Sequence, residues 1–151
     1  MPSISDRFAE RRSEGRATLV QSVTSGFPSR SATVDVLASL AEAGGDVLEL
    51  GIPFSDPLAD GPTIQEATFR ALEGGMTVEG TLELLGEFRR GSDTPIVLFS
   101  YLNPLLRYGL EAFLADAEQA GAQGVLLTDV PTGADPQVED IILTSALALI
   151  R

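Results

Sequence analysis

Short apolar runs alternate along this chain with longer stretches in which apolar residues recur at helical spacing. Residues 3–12 predict a short amphipathic helix with Ile4 and Phe8 on one face. Thr18 to Thr24 (TLVQSVT) reads as a strand, ended by the turn signal Gly26-Phe27-Pro28. Residues 31–43 predict a helix, with Ser31 placed to cap its start and Gly44 suited to the left-handed position after its last turn. Asp46 to Gly51 (DVLELG) is the next strand, closed by Pro53. A polar loop leads to helices over 62–73 and 78–90, the second capped by Thr77. Pro95 to Phe99 is a third strand, and 109–120 a helix that stops before Gly121. Gly124 to Asp129 is a fourth strand, 135–146 a helix, and Ala148 to Arg151 the opening of a fifth strand.

Strands and helices in regular alternation imply a parallel sheet with crossover helices. An internal echo points to a repeated unit. AEAGGDVLELGIP (41–53) and AEQAGAQGVLLTDVP (117–131) both end a helix at Ala-Gly and then form a strand. Each strand finishes at a carboxylate, Glu49 or Asp129, shortly before a proline. A closed (β/α)8 barrel takes about 250 residues. The expectation is therefore one α/β domain over 1–151 that supplies about four N-terminal βα units of a TIM (β/α)8 barrel. A doubly wound open sheet is the competing architecture, but no G-x-G-x-x-G follows the first strand.

Composition narrows the chemistry. The chain has no Cys and no His, and all ten of its basic residues are Arg. Thiolate chemistry, Cys- or His-based metal sites, Ser-His triads and lysine Schiff bases are thereby excluded within these residues. Proton transfer falls to carboxylates, with Tyr as the outside alternative. A net charge of −12 argues against binding a phosphate backbone. No apolar run reaches membrane-spanning length, and MPSISDRFAERR lacks the apolar core of a secretory signal. The expected setting is cytoplasmic.

Active sites of parallel α/β proteins lie at the C-terminal ends of their strands. Glu49, Asp56, Asp60 and Asp129 fall there. In Val47-Leu48-Glu49-Leu50-Gly51, alternation puts Glu49 on the face shared by Val47 and Gly51. If Leu48 and Leu50 meet the helices, Glu49 points inward, where partial desolvation suits a carboxyl to acid-base work. A solvated carboxylate at the rim fits the same position. Asp56 and Asp60 lie in a stretch with prolines at 53, 57 and 62, where either could equally serve as a turn or helix cap.

The run from Glu49 through Gln65, ELGIPFSDPLADGPTIQ, resembles the signature of tryptophan synthase alpha chains. Supporting matches are Thr24-Ser-Gly26-Phe-Pro28, Tyr101-Leu-Asn103-Pro104 with Tyr108-Gly109, and Asp129-Val-Pro131, so the likeness extends along essentially the whole chain. It implies a lyase that cleaves indole-3-glycerol phosphate into indole and glyceraldehyde 3-phosphate, with Glu49 as the acid-base residue. Asp60 is implied to hold the indole N–H and stabilise charge on the ring. It implies substrate contacts at Ser22, Tyr101 and Asp129, and a partner face at Pro53, Asp56, Pro57 and Asn103. The partner is a beta chain that carries pyridoxal phosphate, so no cofactor and no metal are expected in this chain.

Where the family has a Pro-aromatic pair on its first strand, this sequence has Gln21-Ser22. The resemblance also implies about a hundred further residues, including the phosphate-binding loops after strands 7 and 8. The 151 residues alone are therefore expected to cleave the substrate negligibly. The alternatives are a non-catalytic half-barrel that binds a partner through its open strand edges, and another phosphate-recognising barrel enzyme.

Overall fold

The computed structural model describes residues 2–150. Five parallel strands form one sheet in chain order: β1 (Val20–Thr24), β2 (Val47–Gly51), β3 (Ile96–Ser100), β4 (Gly124–Leu127) and β5 (Ala148–Ile150). The helices are α1 (Ile4–Ser13), α2 (Thr33–Glu42), α3 (Pro62–Glu73), α4 (Val78–Arg89), α5 (Leu102–Tyr108), α6 (Leu110–Ala120) and α7 (Pro136–Leu143). Each strand pairs with the next in sequence, which is how a barrel grows and which leaves no switch point of the doubly wound kind.

The helices build their core against one face of the sheet. Leu48 and Leu50, Ile96 and Leu98, and Val125 and Leu127 pack with Leu37 of α2, Leu85 and Phe88 of α4, Phe113 of α6, and Val138 and Ile142 of α7. Burying one such aliphatic side chain is worth about 1.5–3 kcal/mol, so this layer fixes which way each strand faces. A one-residue slip would expose it. Glu49 is thereby committed to the opposite face, as alternation requires.

That opposite face is ordered in rows. Ser22, Glu49, Val97, Gly124 and Ala148 are successive partners across the sheet. Two residues on, Thr24, Gly51, Phe99, Leu126 and Ile150 form the next row. α1 is tied to the N-terminal ends of the strands. Arg11 Nε donates to Asp46 Oδ1 at 2.6 Å, and Gln123 Nε2 to the Pro2 carbonyl at 2.8 Å.

The internal echo is a repeated helix ending. Gly44 and Gly121 take φ +101° and +96°, and the next residue's N–H turns back to Leu40 O and Ala117 O respectively. This six-to-one hydrogen bond closes both helices alike.

Three sequence expectations need correction. The segment 102–108, for which the sequence pattern predicts no element, forms α5, whose Pro104 sits in the first turn where its missing N–H leaves no gap. Ser31 does not cap α2: the Ala32 amide donates to Ser29 Oγ at 3.3 Å, and the helix begins at Thr33. The helix expected over 135–146 ends at Leu143, because Thr144 and Ser145 turn their hydroxyls back onto the carbonyls of Ile141 and Ile142. The fifth strand is present over Ala148–Ile150, and Arg151 lies outside the described residues.

Candidate active site

Above the C-terminal ends of β1 to β3 lies a partly enclosed cavity. It is lined by Ser22, Thr24 and Gly51 from the strands, by Phe54 and Asp60 from the β2–α3 loop, and by Phe99 and Tyr101 from the end of β3, among others. Its walls are mainly apolar and aromatic, with a carboxylate and a few hydroxyls placed among them. That composition suits a flat aromatic ligand with a polar edge.

Glu49 does not line this cavity directly. It lies in the row beneath, beside Ser22, which does. The residue directly above Glu49 on the same face is Gly51, two positions along the strand or about 6.6 Å higher. Gly51 has no side chain of its own to project over Glu49. The Glu49 carboxyl is half-buried, and among the described residues it has no hydrogen-bond partner. Burial raises its pKa above the ordinary glutamate value. A carboxyl desolvated without a compensating donor holds its proton longer, which is what a general acid requires.

Asp60 reaches the cavity from a loop that is held at several points. Its amide donates to the Pro57 carbonyl at 3.1 Å, and its own carbonyl accepts from Gln65 Nε2 at 3.0 Å. The Tyr101 hydroxyl donates to Asp60 Oδ2 at 3.1 Å. Oδ1 has no partner among the described residues and remains available to a ligand donor. Burial raises the Tyr101 pKa, and its bond to the Asp60 carboxylate raises it further.

The other expected residues separate into two groups. Ser22, Tyr101 and Pro57 line the inner cavity. Asp56, Asn103 and Asp129 line a second, outer groove with Leu58, Ala59, Leu102 and Leu106. Asp129 accepts the Leu102 amide at 2.9 Å and so caps the start of α5 across the loops; the structure does not bring it into the inner cavity. Pro53 is buried in the wall of the loop. Phe54 and Tyr101 border both spaces, with ring centroids 5.3 Å apart.

Sequence reasoning missed Thr24, Phe54, Ile64, Thr68 and Phe99 as lining residues. The alternation that exposed Glu49 would have found Thr24 and Phe99, which occupy the row above it. Among the described residues no group of acidic side chains is placed to hold a metal ion, and no helix is long and apolar enough to cross a membrane.

The family model for the tryptophan synthase alpha chain matches residues 8–151. This chain belongs to the tryptophan synthase alpha chain family. The tryptophan synthase alpha chain of Caulobacter sp. (strain K31) is 46% identical over 149 residues, which are 98% of this chain and 54% of that protein. The crystal structure of the tryptophan synthase alpha subunit from Legionella pneumophila str. Paris superposes with a TM-score of 0.94 at 36% identity, covering 99% of this chain and 57% of that one. A tryptophan synthase complex from Pyrococcus furiosus matches at 40% identity and a TM-score of 0.83, covering 88% and 55%. The chain spans about half the length of the tryptophan synthase alpha chains it matches. Its five strands correspond to the N-terminal half of their TIM barrel.

Proposed function

We propose that these residues form the acid-base half of a lyase that cleaves indole-3-glycerol phosphate to indole and glyceraldehyde 3-phosphate in tryptophan biosynthesis. The observation that carries this reading is the unpartnered, half-buried Glu49, one row beneath a cavity that also presents Asp60. Family membership supplies the reaction; the residue inventory agrees with it. A retro-aldol cleavage needs one proton delivered to the ring carbon and one removed from the side-chain hydroxyl. A single carboxyl of raised pKa performs both in turn, giving its proton to indole C3 and then accepting the hydroxyl proton as the carbon–carbon bond breaks. The net proton count is zero, and Glu49 ends as it began. Asp60 Oδ1 accepts the indole N–H and stabilises the positive charge that protonation places on the ring.

The outer groove, with the exposed side chains of Leu58 and Leu106 beside Asp56 and Asn103, is the face offered to a tryptophan synthase beta chain. Pyridoxal phosphate belongs to that partner. The substrate's phosphate is held by the part of the barrel that the longer relatives possess, so the 151 residues alone turn over negligibly. The setting is the cytoplasm.

The test is a completed barrel, made by joining this chain to the C-terminal half of the Caulobacter relative. Indole release from indole-3-glycerol phosphate is expected from the completed barrel and absent from the 151-residue chain. An inactive completed barrel that is folded and binds the substrate would count against the lyase, as turnover by the chain alone would count against the division of labour.

A further inference from the structure

The Tyr101 side chain is buried at the end of β3, yet its hydroxyl reaches across to the β2–α3 loop at two adjacent residues. It accepts the Ala59 amide at 2.9 Å and donates to Asp60 Oδ2 at 3.1 Å. Its ring also meets Phe54 from the start of the same loop, at 5.3 Å between centroids. A rigid strand end therefore grips a loop at its beginning and near its end. Among the described residues, the other hydrogen bonds to Asp60 come from the same loop or the helix that follows it: Pro57 O, and Gln65 from α3.

We infer that Tyr101 is a positioning residue, which fixes the Asp60 carboxylate with Oδ2 occupied and Oδ1 turned to the ligand. The inference rests on Asp60 acting on the substrate, as set out above. Two-point attachment through one hydroxyl restrains both the backbone at Ala59 and the side-chain rotation of Asp60. A carboxylate free to rotate would spend part of its time with neither oxygen aligned to the ring N–H, and misplacement of a reacting group by about 1 Å is enough to lower a rate about 100-fold. Because Oδ2 is already engaged, Tyr101 also decides which oxygen the ligand meets. The phenol is a fixed donor here: its raised pKa keeps the proton on Tyr101, so Asp60 stays the acceptor.

The test compares Tyr101→Phe with wild type in the completed barrel, alone and combined with Asp60→Asn. Tyr101→Phe is expected to lower kcat about tenfold to a hundredfold with KM changed less than about threefold, since the ring and its packing against Phe54 are kept. In the Asp60→Asn background the same change is expected to have an effect of about twofold or less, because a shared route to catalysis is lost only once. A rise in KM with kcat unchanged would overturn the inference in favour of direct substrate contact. An undiminished loss in the Asp60→Asn background would overturn it in favour of a general structural role. Hydrogen exchange on the 151-residue chain is the arm that needs no turnover. Faster exchange of the Ala59 amide in Tyr101→Phe, with the β3 amides unchanged, supports the two-point grip; unchanged exchange at Ala59 overturns it. A wild-type completed barrel without lyase activity would fail the proposed function, while the exchange arm still decides whether Tyr101 holds the loop.

Discussion

Ser22 and Glu49 are direct partners across the parallel ladder of β1 and β2, so their side chains stand side by side on the face that the helices leave uncovered. Gly51 stands above Glu49 in the next row. A Cβ added there would meet nothing closer than the Val23 carbonyl at 3.5 Å, which is ordinary contact. Gly51→Ala is therefore expected to fold while placing a methyl group above Glu49. The kcat/KM of the completed barrel is expected to fall about tenfold or more, with a melting temperature within a few degrees of wild type. Retained kcat/KM would show that substrate does not approach Glu49 past this position.

The raised pKa of Glu49 has a consequence for stability. A carboxyl whose folded pKa lies above its unfolded value opposes folding once it ionises, and does not when protonated. The penalty is absent below the ordinary glutamate value of 4.5 and reaches its full size above the raised folded value. Glu49→Gln is thus expected to stabilise the fold at pH 7 and to lose that advantage as the pH falls to 4. Thermal melts of both proteins across this range measure it. An equal difference at both pH values would contradict the assigned burial.

Asp46 carries a structural load with the opposite sign. Burial acts to raise its pKa, but the Leu19 amide and the Arg11 guanidinium together outweigh it and hold the pKa below the usual aspartate value. Its contribution is present above 3.8 and is lost as the pH falls through the lower folded value. Asp46→Ala strands the Leu19 amide, bonded at 2.8 Å, and leaves Arg11 of α1 with Glu14 of its own segment as its remaining ion-pair partner. The expected destabilisation is about 2–4 kcal/mol, read by urea unfolding. A change below about 0.5 kcal/mol, typical of a plain surface site, would mean that α1 is not anchored there.

Gln21 pairs with Leu48 across the sheet, and its Oε1 is buried beside Gly45 without a partner among the described residues. Gln21→Met keeps the length and removes the orphaned acceptor. Stability is expected to rise by about 1 kcal/mol, and a fall of similar size would show that Oε1 has a partner in solution.

Much of this fold was legible in the chain because strand and helix periods differ and the helix ends are marked. Gly44, Gly121 and Thr77 each stand where their element stops or starts. α5 was illegible because Asn103-Pro104 reads as a break, and nothing local shows that Asp129, 27 residues away, will cap its first turn. The candidate site divided in the same way. Glu49 followed from alternation within one strand, a local property. The Asp60 position depends on a hydroxyl 41 residues further along, and the partition of the expected residues between two cavities depends on the Phe54–Tyr101 contact. Pairings over such distances leave no periodic trace. For Asp60 the long motif resemblance, rather than any pattern of spacing, pointed to the residue.

The proposed role of Glu49 in moving the protons of the cleavage is tested most directly by kcat for indole release from indole-3-glycerol phosphate by the Glu49→Gln completed barrel, under conditions where wild type turns over. Glutamine keeps the shape and removes the transferable proton, so kcat is expected to fall below about one part in a thousand with substrate binding retained. A kcat equal to wild type would contradict the assignment.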